Sequence, residues 1–188
     1  MKNIVFEVIT EKNIEQCRQL CAELMAFQKS KATINPQWFD SMNFETRLKA
    51  SYAAALKNHL VIAKDNGIPI GYVFSTINIV NAENKNAYPS WVSATEQGSG
   101  FYPSWLEVPQ KVGCLNNLYL KENYRGLGIG QKLFDLTMDW LESYSDVGVV
   151  FVYISNGNDQ ALKFYLANGF TFSHDVFSGF IQAAYKKI

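Results

Sequence analysis

The sequence predicts an α/β fold in which helices flank a mixed, mostly antiparallel central sheet, and three observations carry that prediction. First, "HLVIAKDNGIPIGYVFSTINIV" (His59 to Val80) is two apolar runs joined at Asp65-Asn66-Gly67, a hairpin turn signal. Second, Val112 to Ile154 runs strand, glycine turn, amphipathic helix and continuous apolar strand. Third, "GFTFSHDVFSGFIQAAYKKI" reads as two antiparallel strands about a turn near Asp175 to Gly179.

The elements follow in order. "IVFEVI" (Ile4 to Ile9) is strand-like, and Asn13 with Gln16 three residues later resembles a capping box that opens a helix. Ile14, Cys17, Leu20, Cys21, Leu24 and Met25 then keep the spacing of one buried helical face. Pro36 suits the first turn of a second helix, with Phe39, Met42 and Phe44 early and Leu48, Tyr52 and Leu56 later. "VGCLNNLYL" (Val112 to Leu120) reads as a strand whose apolar residues Leu115, Leu118 and Leu120 slip out of a period of two at Asn116-Asn117. Such a slip marks a β-bulge, a device that splays neighbouring strands and frees backbone donors beside active sites. Ile129, Leu133, Phe134, Leu136, Trp140 and Leu141 form the apolar face of the next helix, and "VGVVFVYI" reads as a strand buried on both faces.

Composition narrows the function classes. A chain of 188 residues, 48% apolar, is long enough for one sizeable core, and one domain spanning 1–188 is expected. Lys plus Arg and Asp plus Glu both number 17, so there is no overall field to gather nucleic acid or an anionic membrane. No apolar run approaches bilayer length and no signal peptide is evident, so a cytoplasmic location is expected. Cys17, Cys21 and Cys114 are too few for a disulfide framework and read as buried thiols. His59 and His174 lack partners at metal-ligand spacing, so no metal site is expected.

Residues 81–112 form a long aromatic insertion between the third and fourth strands, in which "YPSW" occurs at Tyr88 to Trp91 and again at Tyr102 to Trp105. Loops of this length are usually functional or disordered, and two of the four tryptophans argue against disorder. Its aromatic rings either pin a surface excursion onto the core or form a lid or wall over a binding site.

The glycine turn "NYRGLGIGQKL" (Asn123 to Leu133) is a plausible phosphate site, because glycines let the backbone approach a ligand and the first helical N–H groups have no internal partners. A P-loop fails, since Gln131 stands five residues after Gly126 where a glycine is needed. A dinucleotide fingerprint fails too, with Gln131 three after Gly128 and no acidic residue in the later stretch Val149-Val150-Phe151.

Arg125-x-x-Gly128-x-Gly130 resembles the acyl-coenzyme A pyrophosphate loop of the GNAT superfamily of N-acetyltransferases. A companion strengthens it: in "ISNGNDQALKFYLANGF" (Ile154 to Phe170), Asn158, Ala161, Phe164, Tyr165 and Gly169-Phe170 fall in that family's order and spacing. "NNLYLKENYRGLGIG" also looks like the family's fourth strand entering its glycine loop. The resemblance implies a sheet whose parallel fourth and fifth strands splay apart, with acetyl-CoA as the cofactor. It implies that the backbone from Arg125 through Gly126, Leu127, Gly128, Ile129 and Gly130 to Gln131 cradles the pyrophosphate. The main chain of Leu118, Tyr119 and Leu120 would pair with the pantetheine arm, Asn158 would contact it, and Tyr165 would protonate the leaving thiolate.

The implied chemistry is direct attack of an amine on a thioester through a tetrahedral intermediate. A backbone N–H beside the bulge, that of Leu118, would stabilise the oxyanion. A phenol of ordinary pKa about 10 is neutral near pH 7 and can donate a proton, although Tyr165 also fits as a helix-face aromatic. Many relatives carry a glutamate near the bulge to draw a proton from the incoming ammonium, whereas here Asn116 and Asn117 stand in that region. Ordered water, Glu107 or a tyrosine of the C-terminal strands are the remaining routes, and a water relay with Asn116 orienting solvent or substrate is the expectation. Phe27, Trp38, Met42, Phe74, Tyr102 and Trp105 come from segments that line the acceptor side in similar folds, though core packing explains the first four equally well. Low charge and many aromatics favour a small amine, amino acid or peptide N-terminus over a polyamine. The alternatives are a protein N-terminal or lysine acetyltransferase and a non-catalytic acyl-CoA sensor, and a homodimer is left open.

Overall fold

The computed structural model describes residues 3–89, 92 and 98–188. Seven strands form one sheet: β1 (Ile4–Ile9), β2 (Lys57–Asp65), β3 (Ile68–Val80), β4 (Gln110–Leu120), β5 (Val149–Ser155), β6 (Thr171–Val176) and β7 (Ile181–Lys187), in the order β1-β2-β3-β4-β5-β7-β6. Only β4 and β5 pair in parallel. The helices are α1 (Arg18–Lys31), α2 (Ala50–Ala54), α3 (Ile129–Glu142) and α4 (Asp159–Ala167).

Strand alternation builds a core on each face of the sheet. Leu60, Ile62, Tyr72 and Phe74 face a cluster with Leu20, Leu24 and Leu48, while Val61, Ala63 and Val73 face Leu133, Phe134, Met138 and Leu141 of α3. The hairpin turn forms as the sequence predicts, with Asn66 and Gly67 both at positive φ (49° and 83°), the conformation a two-residue type I′ turn needs. Cys17, Cys21 and Cys114 are buried free thiols, and burial pushes both the Cys17 and Cys114 thiols up to about 12.

The bulge falls where the hydrophobic slip locates it. Phe74 pairs with Asn117 and Ser75 with Leu115, so Asn116 is the extra residue. The β4–β5 pairing extends only from Gly113 to Leu115 against Val150 to Val152. Past Leu115 the two strands part.

Three expectations are corrected. The first helix opens with a 3₁₀ segment, Glu11–Cys17, and Asn13 Oδ1 accepts from the Thr10 N–H at 2.8 Å, so the cap sits at Thr10 and Asn13 rather than Asn13 and Gln16. The predicted second helix is three short pieces, a 3₁₀ turn at Pro36–Ser41, a π-helical turn at Phe44–Lys49 and α2, and Leu56 is exposed beyond them. The break comes at Asn43, whose Oδ1 accepts from the N–H groups of Glu45 and Thr46 at 2.9 and 3.1 Å and starts a new helix instead of continuing the old one. The insertion is shorter than predicted, because β4 begins at Gln110.

In that insertion Ser90 and Trp91 of the first YPSW copy lie outside the described residues. Among the described ones the aromatics take different positions. Trp105 packs on Phe151 and Tyr185 at centroid distances of 6.1 and 4.9 Å, pinning the excursion to the sheet. Phe101 packs on Tyr153 and Phe177 at 5.1 and 4.8 Å, and its carbonyl accepts from the Tyr153 hydroxyl at 3.0 Å, which makes it a wall.

Asn156, just after β5, ties two other segments to its own. Its Oδ1 accepts from the N–H groups of Thr33 and Ile34 at 2.6 and 2.9 Å, and its Nδ2 donates to the carbonyls of Ile34 and Phe180 at 3.2 and 2.9 Å.

Candidate active site

Where β4 and β5 diverge, three adjoining spaces run from one side of the sheet to the other. The first is a cleft of about 370 Å³ lined by Leu118 and Leu120 of β4, the glycine turn, and Asn158, Ala161 and Tyr165 of α4 and its cap. The second is the gap itself, about 40 Å³ between Leu115 to Leu118 and Val152 to Ser155. The third is a cavity of about 180 Å³ on the other side, walled by Phe39, Met42, Phe101, Tyr102, Phe180 and Ile181. Leu24, Leu118, Asn158, Ala161 and Tyr165 line both cleft and gap, whereas Gln28, Asn116, Tyr153 and Ser155 line both gap and cavity.

The glycine turn is built to receive an anion. Gly126 and Gly128 have φ of 74° and 78°, which only residues without a Cβ adopt cheaply, and a Cβ on Gly126, Gly128 or Gly130 would meet nothing within 4 Å. The first intrahelical bond of α3 runs from the Lys132 N–H to the Gly128 carbonyl at 3.0 Å, so the amides of Ile129, Gly130 and Gln131 precede the ladder. Arg125 Nε donates to the Leu120 carbonyl at 3.1 Å, and its guanidinium lies 5.1 Å from the Phe27 ring centroid. Arg125, Gly126, Gly128, Gly130 and Gln131 line the cleft, while the Leu127 side chain is exposed and that of Ile129 is buried in the core. An open cradle of unpaired amides beside a cation fits the pyrophosphate of coenzyme A.

Asn158 caps α4, its Oδ1 accepting from the Ala161 N–H at 3.4 Å, and also faces cleft and gap. Tyr165 stands at their junction, and burial pushes its phenol upward, with Cys114 adding to the shift. Tyr119 lines the cleft and its hydroxyl donates to a Glu23 carboxylate oxygen at 3.3 Å. Asn116 Nδ2 donates to Thr76 Oγ1 at 2.9 Å and to the Cys114 carbonyl at 3.3 Å, which leaves its Oδ1 as an acceptor at the gap.

The acceptor-side expectations divide. Tyr102 and Met42 line the cavity. Phe27 does not: it lies in the cleft beneath Arg125. Trp38 packs edge-on to Phe180 at 4.8 Å, Phe74 is fully buried, and Trp105 rests on the outer sheet, so none of these three reaches the cavity. Glu107 is exposed and outside all three spaces, and no carboxylate lines any of them among the described residues. Tyr185 of the C-terminal strands is also absent from their walls. Sequence reasoning missed Gln28, Arg47, Phe101, Tyr153, Ser155, Phe180 and Ile181, which come from five separate segments and share no local pattern. His59 stacks on Trp140 at 5.0 Å and His174 Nε2 lies 2.9 Å from the Gly100 carbonyl, both away from the site. No group of three or more His, Cys, Asp or Glu side chains is placed to hold a metal, and no helix is long and apolar enough to cross a membrane, among the described residues.

Residues 27–170 match the model of the family described as the acetyltransferase (GNAT) family. The comparison with curated protein sequences returned no match. Among solved structures, the PaiA N-acetyltransferase of Thermoplasma acidophilum in complex with coenzyme A superposes with a TM-score of 0.65 at 16% identity, covering 99% of each chain. Arabidopsis thaliana Naa50 in complex with the bisubstrate analogue CoA-Ac-MVNAL gives 0.61 at 14% identity over 98% of this chain and 99% of that one. A GNAT-family acetyltransferase of Streptococcus pneumoniae gives 0.61 at 13% identity over 99% of this chain and all (100%) of that one. At such identities the likeness is one of fold.

Proposed function

Because the chain belongs to the GNAT acetyltransferase family, whose members use acetyl-CoA, we propose that it is an N-acetyltransferase that moves the acetyl group to a primary amine of a small molecule. The observation that carries this reading is the passage through the sheet. Cleft and cavity both adjoin the gap that Leu118, Asn116 and Tyr165 line, so a donor entering by the glycine turn and an amine entering by the aromatic cavity are brought to one point.

When bound, acetyl-CoA supplies an activated acyl carbon for direct attack by the amine. The backbone N–H of Leu118, beside the bulge, is the donor for the carbonyl oxygen. Tyr165 carries its proton throughout the neutral range, because burial disfavours the phenolate, and donates it to the departing sulfur. Asn116 Oδ1 accepts from the incoming amine or its water. Tyr102 and Tyr153 are poor bases, since burial raises both phenols. Proton removal therefore goes to solvent through a water relay rather than to a dedicated side chain.

Peptide N-termini are the competing acceptor class, given the peptide-bearing analogue bound by the Arabidopsis thaliana chain. The test is free-thiol release from acetyl-CoA against small amines, amino acids and peptides, with an amine-free control. Release that depends on one amine class and collapses in Tyr165→Phe is expected. Calorimetric acetyl-CoA binding without release for any amine would instead identify an acyl-CoA sensor.

A further inference from the structure

The acceptor cavity contains a cation that the proposed chemistry does not use. Arg47, on the π-helical turn Phe44–Lys49, lines the cavity between flanking core residues. Its Nε is buried without a hydrogen-bond partner, and among the described residues it forms no ion pair. The nearby acid on its own turn is taken, since Glu45 binds Arg18 at 2.6 Å and Lys49 at 3.4 Å. Arg47 nevertheless reaches into the sheet, where its charge opposes the burial-driven rise of the Cys21, Tyr72 and Cys114 groups. Ser155 also lines the cavity, and its Oγ is a second buried polar atom there without a partner.

A guanidinium is always charged and presents donors in a fork that matches a carboxylate. Leaving one of its nitrogens buried and unpaired is unfavourable, and a ligand carboxylate removes that penalty. Asn116 lines the same cavity and offers only an acceptor oxygen, which suits an ammonium. Apart from Gln28 and Asn78 the remaining walls are apolar or aromatic, and about 180 Å³ is less than the roughly 300–1,000 Å³ of sites for drug-sized ligands.

We propose that Arg47 anchors the carboxylate of a free α-amino acid with an apolar side chain, holding its amine toward Asn116 and the gap. This rests on the transferase reading and narrows it: a carboxamide or a polyamine lacks the anion that Arg47 is placed to receive, and a peptide carries its carboxylate beyond the residue that bears the amine.

Matched pairs of L-amino acids and their amides, namely phenylalanine, leucine and methionine with the corresponding carboxamides, test it in two arms. Calorimetric titration into the CoA-loaded protein reads binding alone, and thiol release reads turnover. The wild-type chain is expected to prefer acid over amide, and Arg47→Met to reduce that preference about 10- to 100-fold, the scale of a charge-assisted hydrogen bond. Arg47→Lys, which keeps charge but not the fork, should recover part of it. Equal use of acid and amide by the wild-type chain, or an equal loss of both in Arg47→Met with an unchanged melting temperature, overturns the anchor. Arg47-dependent binding of the acids without thiol release would keep the anchor and refute the transferase. Absence of both binding and release for every acid overturns the anchor.

Discussion

Asn116 Nδ2 donates to Thr76 Oγ1 across 2.9 Å, so the extra residue of the β4 bulge is oriented by the neighbouring strand. Without that bond the amide can rotate and offer its NH₂ group to the gap, where an ammonium needs an acceptor. Thr76→Val keeps the shape and removes the partner. Steady-state kinetics should show kcat/KM for the amine falling roughly 3- to 10-fold, the scale of one hydrogen bond, while calorimetric acetyl-CoA affinity is unchanged.

Tyr165→Phe should lower kcat about 100-fold or more, the usual contribution of a positioned general acid. Acetyl-CoA binding should persist, because the ring remains at the junction. Burial raises the phenol above its ordinary value, so deprotonation of Tyr165 gives no descending limb below pH about 10. With no carboxylate among the described residues that line the site, kcat/KM for the amine should climb with pH as the ammonium loses its proton, levelling near the pKa of the amine itself. Amines of lower pKa should shift the whole profile to lower pH. An ascending limb that stays fixed across amines would reveal a protein base.

Gly128 is the N-cap of α3 with φ of 78°, and the space where its Cβ would stand is open. The penalty of Gly128→Ala is therefore backbone strain rather than collision, about 1–2 kcal/mol for a left-handed non-glycine residue. Denaturant unfolding should show that loss, and the acetyl-CoA dissociation constant should rise as the cradle opens. Gly128→Asn should be milder on both measures.

His59 stacks on Trp140 with Nδ1 buried and unpaired, and burial holds its pKa below the ordinary value of about 6.5. The unfolded chain thus takes up a proton at a pH where the folded chain does not. Stability is fully present above pH about 6.5 and declines as pH falls toward the folded-state value. Urea midpoints at pH 7.5 and 5.5 should differ in that direction, and His59→Gln should shrink the difference.

The donor side was legible because it is local. Leu115, Leu118 and Leu120 reveal the bulge through their own spacing, and Arg125, Gly126, Gly128, Gly130 and Gln131, proposed as the cradle, line the cleft from a single turn. The acceptor side is assembled from α1, the pieces that follow it, the insertion and β7, so no window of sequence contains it. Trp38 and Trp105 are large enough to suggest a binding wall, yet they pack against Phe180 and Tyr185. Arg47 reads in sequence like Lys49, a solvent-facing cation on a helix. The Asn43 cap and the π-helical turn set its direction, and neither has a strong sequence signature.

The parting of β4 and β5 also bears on how the molecule comes apart. Among the described residues, strand pairing between the four-stranded half of the sheet and its three-stranded half is limited to Gly113 to Leu115 with Val150 to Val152, and the cores on the two faces supply the rest of the join. On the proposed reading, a donor lying in the gap would add main-chain bonds across that narrow waist and act as a removable seam between two halves of one sheet. Occupancy would then couple to local opening, and hydrogen exchange in β5, β7 and β6 should slow when the proposed donor is bound.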